Sequence, residues 1–440
     1  MYSGNFYKEF LIVIKVDEGM IRKMLTSISI SAIFLQYGLL MGLLLAVIIG
    51  FSWQRVMTIV LLLLPAVGVA FTVVKVGLPK PRLLDILFLS LLALVLISMA
   101  QQGWSEPGVS TNFFFIPLMM IAPYVCGRLT GARDIIQLIR LLLVLAVVAL
   151  LMVGVIFLVD TNSRFHYRPL LHGGDEITAR LALLLAYAGI TLSYLLTRQM
   201  VGVIWLTKAS AKLLLALIAV TLMLVFLGLR GLVLAFILTL LLNTYSAQWL
   251  SVLKRVIYGL IILALVVAAS LSMHEAREKN NTLVTGLITE VSEDCSATKR
   301  NVNSASIRLE LYHDAWSAFS ANPFMGVGAG AYGKYSCWQD ARAHPHNVLL
   351  QVMAELGIFA FFILATMLVY CTRITFFINW RRNNYKNLIA LFFIFSLMNS
   401  FVNGNYFTSM DLWWALGAMS NYINISSDRF RMIQFSKLIN

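Results

Sequence analysis

A chain of 440 residues that is 60% hydrophobic and 12% charged, with a mean hydropathy of +0.83, is too apolar to be a soluble globular protein of its length. It reads as an all-α, polytopic integral membrane protein. The formal charge of +14 is that of basic loops holding orientation in a membrane. With no aromatic-interleaved basic patch or nucleic-acid motif, nucleic acid is excluded as a partner and membrane lipid is expected.

In chain order, the segment up to Thr26 mixes Lys8, Lys15, Arg22 and Lys23 with Glu9, Asp17 and Glu18. No small-residue cleavage site follows the first apolar run, so that run is expected to be an uncleaved anchor. At about 20 apolar residues per span, the sequence predicts about twelve transmembrane helices. The first nine are Ile28–Phe51, Val56–Val76, Leu83–Met99, Asn112–Gly127, Ile135–Val159, Thr178–Leu196, Ala211–Gly228, Gly231–Ser246 and Val256–Met273. The last three are Val348–Ile378, Lys386–Val402 and Thr408–Ile425. Residues 1–273 thus form an N-terminal membrane region, 274–345 a hydrophilic insertion, and 346–440 a C-terminal membrane region.

Twenty Lys and Arg fall on one side of this topology, against Arg55, Arg164, Arg168 and Arg230 in the short loops of the other. The positive-inside rule then puts both termini in the cytoplasm and the insertion outside. Its seven basic and eight acidic residues nearly cancel, as in a folded segment. Ile307, Leu311, Ala315 and Phe319 recur at helical spacing, and Asn322-Pro323 ends the run. An amphipathic helix lying on the membrane surface is expected. Cys295 and Cys337 share this segment and could pair in an oxidising compartment, whereas Cys126 and Cys371 read as free. The run Gly326-Val327-Gly328-Ala329-Gly330-Ala331-Tyr332-Gly333 contains a formal GxGxxG. It follows no strand and lacks a GK[ST] ending, so a tight turn against membrane helices is expected rather than a nucleotide site.

Three groups then fall at the outer interface. Arg180 lies in the first turn of the sixth span, Arg230 between the seventh and eighth, and His346 at the start of the tenth. An arginine beside hydrocarbon without a local acidic partner is costly and marks function, snorkelling to lipid phosphate being the alternative. The guanidinium fork binds two diphosphate oxygens and never titrates away, so two arginines could hold a lipid-linked diphosphate. No DxD pair or histidine-rich cluster is visible, so no metal or other cofactor is expected, the scattered Asp and Glu of the outer segment being the alternative ligands for a divalent ion. His346 follows Pro345, a first-turn residue of helices, and the helix N-terminus disfavours imidazolium. That suits a general base for a sugar hydroxyl, with His344 as a competitor and a structural hydrogen bond as the alternative.

These residues form a pattern. Arg308, Trp316, Asn322-Pro323-Phe324-Met325-Gly326-Val327-Gly328, and His346-Asn347 followed after nine residues by Gly357 resemble the C-terminal region of the O-antigen ligase and polymerase superfamily. The resemblance covers about Ser306 to Ala360; Ala360 departs from the Gly, Thr or Tyr more usual there. It implies an inverting, metal-independent glycosyltransferase on the periplasmic face of the bacterial inner membrane. The donor would be O-antigen on undecaprenyl diphosphate and the acceptor lipid A-core. His346 would be the base, and Arg180 and Arg230 match arginines of the family's preceding helices. Arg308 would assist substrate binding or brace the outer helix; His344 and Asn347 are grouped with the substrate-binding residues. An O-antigen polymerase joining lipid-linked units remains an alternative. A transporter fits less well, because internal repeats are not visible and the outer segment is long.

Overall fold

The computed structural model describes residues 80–102, 113, 116–159, 175–199, 208–226, 230–245, 304–336, 344–377 and 385–422. Among these, all the regular elements are helices. Leu, Ala, Ile and Val dominate them, and Pro117 stands in the first turn of its element, where no backbone donor is lost.

The helices are α1 (Leu83–Gln102), a π-helical turn (Pro117–Ile121) running into α2 (Ala122–Leu129), α3 (Ala132–Val159), α4 (Asp175–Gln199), α5 (Lys208–Phe226) and α6 (Arg230–Tyr245). After them come α7 (Ser304–Ala321), α8 (Val348–Phe377), α9 (Tyr385–Asn403) and α10 (Met410–Tyr422). Five helices are long and apolar enough to cross a membrane: α1, α4, α9, the 134–151 part of α3 and the 348–376 part of α8. α5 and α6 are apolar but shorter. The expected fourth span is a π turn plus the eight-residue α2, and the expected last span is the thirteen-residue α10. The expected first, second and ninth spans, the N-terminal anchor and the Cys295–Cys337 pair lie outside the described residues. Cys126 and Cys371 are free and buried.

Side-chain pairs set the helix directions. Gly189 of α4 faces Phe236 of α6, and Asn243 of α6 donates to Ser193 of α4 at 2.8 Å, so these two helices run parallel. Tyr187 of α4 lies edge-on to Phe392 and Phe395 of α9 and bonds Ser396 at 2.5 Å, while Gly231 at the start of α6 abuts Val402 near the end of α9. The starts of α4 and α6 and the end of α9 therefore share one end of the bundle.

The opposite end is basic and tied by one half-buried carboxylate. Asp85 accepts from Arg128 Nε at 3.1 Å and from the Tyr124 hydroxyl at 2.7 Å, and Arg128 Nη2 donates to the Lys80 carbonyl at 2.9 Å. Here α2 and α10 cross backbone to backbone. A Cβ on Gly127 would lie 2.0 Å from the Trp414 carbonyl oxygen, and one on Gly417 would lie 2.0 Å from that of Tyr124. Small residues allow such close helix contact in lipid, where packing rather than water exclusion drives association.

α7 corrects one expectation. Its stripe was to rest on the membrane, but Leu311, Ala315 and Ala318 are buried against Tyr332 and Ala354, so this face covers protein. Leu309 and Trp316 are its exposed apolar side chains. If residues 274–345 are external, Ser304→Cys at the start of α7 will react with a membrane-impermeant maleimide on intact spheroplasts. Reaction only after lysis would invert the topology.

The glycine run is the turn expected, and its partner is a break in α8. Gly357 has φ 79° and ψ −172°, which no helix contains. The carbonyls of Ala354 and Glu355 lose their helical donors and accept instead from Val327 and Gly328 N–H, both at 2.9 Å. Ile358 N–H donates to the Pro323 carbonyl at 2.9 Å. The hairpin 323–328 thus repairs the backbone pairing that the break opens. Glycine is required on both sides: a Cβ on Gly326 would meet the Glu355 backbone at 2.3 Å, and one on Gly357 the Phe324 carbonyl oxygen at 2.2 Å.

Candidate functional site

The short helix 348–356 ahead of the break carries His346 and Asn347 at its start. Asn347 is the N-cap, its Oδ1 accepting from Leu349 and Leu350 N–H, each at 3.1 Å. His346 is therefore one residue outside the helix and Pro345 is not in its first turn, contrary to the sequence expectation. His346 is the one non-glycine residue with positive φ (53°) among the described residues. A left-handed histidine costs energy that surrounding contacts must offset, and such residues concentrate at functional sites.

The imidazole of His346 lies 4.2 Å from that of His344, centroid to centroid. Its Nδ1 is buried and finds no hydrogen-bond partner among the described residues. Burial first, then the charges of His344 and Arg308, push its pKa down to about 4. That shift favours the neutral ring, and its largest cause is burial rather than the helix terminus.

Arg308 reaches across from α7 to donate from Nη2 to Asn403 Oδ1 at 3.3 Å, at the end of α9. Asn403 Nδ2 donates to Asn399 Oδ1 at 3.2 Å. A Cβ on Gly231 would lie 3.3 Å from Asn403 Nδ2, so the residue after Arg230 packs on this amide. Arg230 is the first residue of α6 rather than a loop residue, and Arg180 lies in the second turn of α4 rather than the first. The backbones of Arg180 and Arg230 thus lie at the end of the bundle that holds Arg308, His344 and His346. Asn347 Oδ1 is committed to the cap, which leaves its Nδ2 for a ligand.

Two acidic residues here were passed over in the sequence. Glu355 is 1% exposed, and its Oε2 accepts from Gly330 N–H at 2.6 Å and the Tyr406 hydroxyl at 2.8 Å. Its Oε1 accepts from Gln351 Nε2 at 3.1 Å, and Gln351 Oε1 accepts from Tyr406 N–H at 3.3 Å. One carboxylate so joins the helix bearing His346, the glycine loop and the turn after α9. Asp411, 5% exposed, accepts from the Tyr187 hydroxyl at 3.2 Å. A carboxylate inside an apolar run is the signal that could have found both. Among the described residues no group of three His, Cys, Asp or Glu side chains could hold a metal ion.

Apolar helices of membrane-crossing length, with polar groups gathered at one end of the bundle, are those of a multi-pass membrane protein. Residues 213–365, from α5 into α8, match the O-antigen ligase family model. Over that stretch the chain is similar to the O-antigen ligase family. No curated protein matches the chain.

Proposed function

We propose that the protein is an inverting, metal-independent glycosyltransferase that moves O-antigen from undecaprenyl diphosphate to lipid A-core at the periplasmic face of the inner membrane. The observation that carries this reading is the imidazole of His346, whose buried Nδ1 has no hydrogen-bond partner among the described residues, within the stretch that matches the O-antigen ligase family model.

In the proposed reaction, an acceptor hydroxyl oxygen attacks the anomeric carbon from the face opposite the diphosphate. Its proton passes to His346 as the new C–O bond forms. The bond from the anomeric carbon to the diphosphate oxygen breaks, and undecaprenyl diphosphate departs with the electron pair. Arg180 and Arg230 neutralise the leaving diphosphate, whose charge grows as that bond breaks. His344, Asn347 and Arg308 orient the substrates.

Arg180→Lys and Arg230→Lys keep the charge but lose the fork, so each is expected to lower transfer by about 10-fold or more. Wild-type turnover in both would reduce these arginines to lipid contacts. The deciding experiment uses purified full-length protein in liposomes with lipid-linked O-glycan, lipid A-core and EDTA. A glycan on lipid A-core is the expected product. Lengthening of the lipid-linked glycan instead would make the protein a polymerase, and no new glycosidic bond would remove the reading altogether.

A further inference from the structure

We propose that Glu355 is a positioning residue for glycosyl transfer: its carboxylate and the amide of Gln351 hold the short helix 348–356, and with it His346, in register with the turn that follows α9. The inference rests on the glycosyl-transfer reading and adds to it a buried residue that touches no substrate.

The helix needs such a hold because it is short and interrupted. Asn347 caps it and Gly357 breaks it, so it spans only about 13 Å at 1.5 Å per residue. Gln351 and Glu355 stand one turn apart on one face, 2% and 1% exposed. Glu355 Oε2 accepts from Gly330 N–H at 2.6 Å and from the Tyr406 hydroxyl at 2.8 Å. Its Oε1 accepts from Gln351 Nε2 at 3.1 Å, and Gln351 Oε1 accepts from Tyr406 N–H at 3.3 Å. Both anchors are themselves fixed. Next to Gly330, Ala329 donates its N–H to Ser98 Oγ at 2.9 Å and accepts from Gln102 Nε2 at 3.2 Å, both on α1. The Tyr406 carbonyl accepts from Trp413 Nε1 of α10 at 2.7 Å. Asn403, which accepts from Arg308, ends the helix just ahead of Tyr406. The carboxylate thereby ties the helix that begins at His346 to the segment that meets Arg308.

These hydrogen bonds have a fixed direction. Gly330 N–H and Tyr406 N–H are backbone groups that can only donate. Tyr406 N–H therefore holds Gln351 with its Oε1 toward the turn and its NH2 toward Glu355. Each oxygen of Glu355 faces a group that must donate, which a carboxylate satisfies and a carboxamide does not. In Glu355→Gln the new NH2 meets either Gly330 N–H or the Gln351 NH2. Rotating the Gln351 amide removes the second conflict only by turning its NH2 onto Tyr406 N–H. One buried donor is opposed in every arrangement, and the helix must shift to relieve it. Combining Glu355→Gln with Gln351→Glu removes the conflict. The amide at 355 then donates to the carboxylate at 351, whose other oxygen accepts from Tyr406 N–H, while the amide oxygen accepts from Gly330 N–H and the Tyr406 hydroxyl.

Transfer kinetics of the full-length protein in liposomes, measured well below the thermal midpoint, test this. Glu355→Gln is expected to lower kcat by about 10- to 100-fold, the loss that follows a displacement of about 1 Å at a reacting centre. KM for lipid-linked O-glycan and for lipid A-core should hold, because Glu355 reaches neither. The double exchange should recover most of kcat. On top of His346→Ala, Glu355→Gln should cost nothing further, since the group it places is already gone. A merely structural carboxylate predicts instead a lower midpoint with turnover per folded molecule intact.

Wild-type kcat in folded Glu355→Gln overturns the inference, as does a rise in KM with kcat held. So does a folded double exchange that stays impaired, or a Glu355→Gln loss that multiplies with that of His346→Ala. Should Glu355→Gln fail to fold, Tyr406→Phe keeps the buried ring and removes one hydrogen bond to Oε2. Its kcat should fall by about 3- to 10-fold, and an unchanged kcat there overturns the inference too. A dead His346→Ala beside wild-type kcat in Glu355→Gln fails this inference alone. Wild-type turnover in His346→Ala fails the glycosyl-transfer mechanism instead.

Discussion

His346→Ala is expected to lower transfer by about 10²- to 10⁴-fold, the usual loss on removing a general base. Undecaprenyl diphosphate should still bind and the thermal midpoint should hold, because the imidazole Nδ1 has no hydrogen bond to lose among the described residues. His344→Ala should be milder, although removing that ring and its charge relieves some of the pressure on His346. If His344→Ala were the inactive variant and His346→Ala kept near-normal turnover, the two assignments would have to be exchanged.

The pH profile gives an independent check. His346, pushed down to about 4, remains an unprotonated base well below the ordinary imidazole value of 6.5. The acid limb of kcat/KM, which reports the free enzyme, should therefore fall only as pH drops through about 4. Bound diphosphate brings negative charge toward the ring and favours imidazolium, so the limb in kcat should lie at higher pH. Such a donor-induced rise also makes His346 a stronger base when it is needed. Stability follows the same sign: between pH 6.5 and about 4 the unfolded chain takes up a proton that the folded ring refuses, so stability declines over that window.

Gly357→Ala is expected to be the most damaging single substitution outside the charged cluster. The backbone at φ 79°, ψ −172° is open essentially to glycine alone, and the added methyl would lie 2.2 Å from the Phe324 carbonyl oxygen. Strain alone costs about 1–3 kcal/mol, and relieving the clash separates hairpin 323–328 from α8. That clasp fixes the helix bearing His346, and a displacement of about 1 Å at a reacting centre can cost about 10²-fold. A lower thermal midpoint and transfer reduced by about that factor are expected. Phe362→Leu, on the exposed face of the same helix, should leave both near wild type. Equal midpoints and turnover for Gly357→Ala and wild type would mean that the clasp is dispensable.

The glycine run illustrates how far the sequence could be read. Its composition marked it as a turn, since Gly326, Gly328 and Gly330 supply the positive φ that such a turn uses. Nothing local disclosed that the turn fills the gap opened by Gly357, about thirty residues on. Asn347 is a strong capping residue, and reading it as the N-cap would have placed His346 just outside the helix. The preceding proline invited the other reading. On α7 the apolar spacing was legible, but spacing cannot tell a lipid partner from a protein one. Leu311 and Ala315 cover Tyr332 and Ala354.

Membrane class, helical architecture, a basic end and the motif around His346 were determined by the sequence itself. Hydropathy, loop charge and residue spacing are properties of the chain taken one segment at a time. Which polar atoms meet was decided by the tertiary structure. Arg308, His346 and Asn403 come from three elements, and the Glu355 junction depends on helix directions and depths. Those follow from packing, such as Gly231 against Val402 and Tyr187 against Phe392 and Phe395, and packing is a property of pairs of surfaces that no single segment contains.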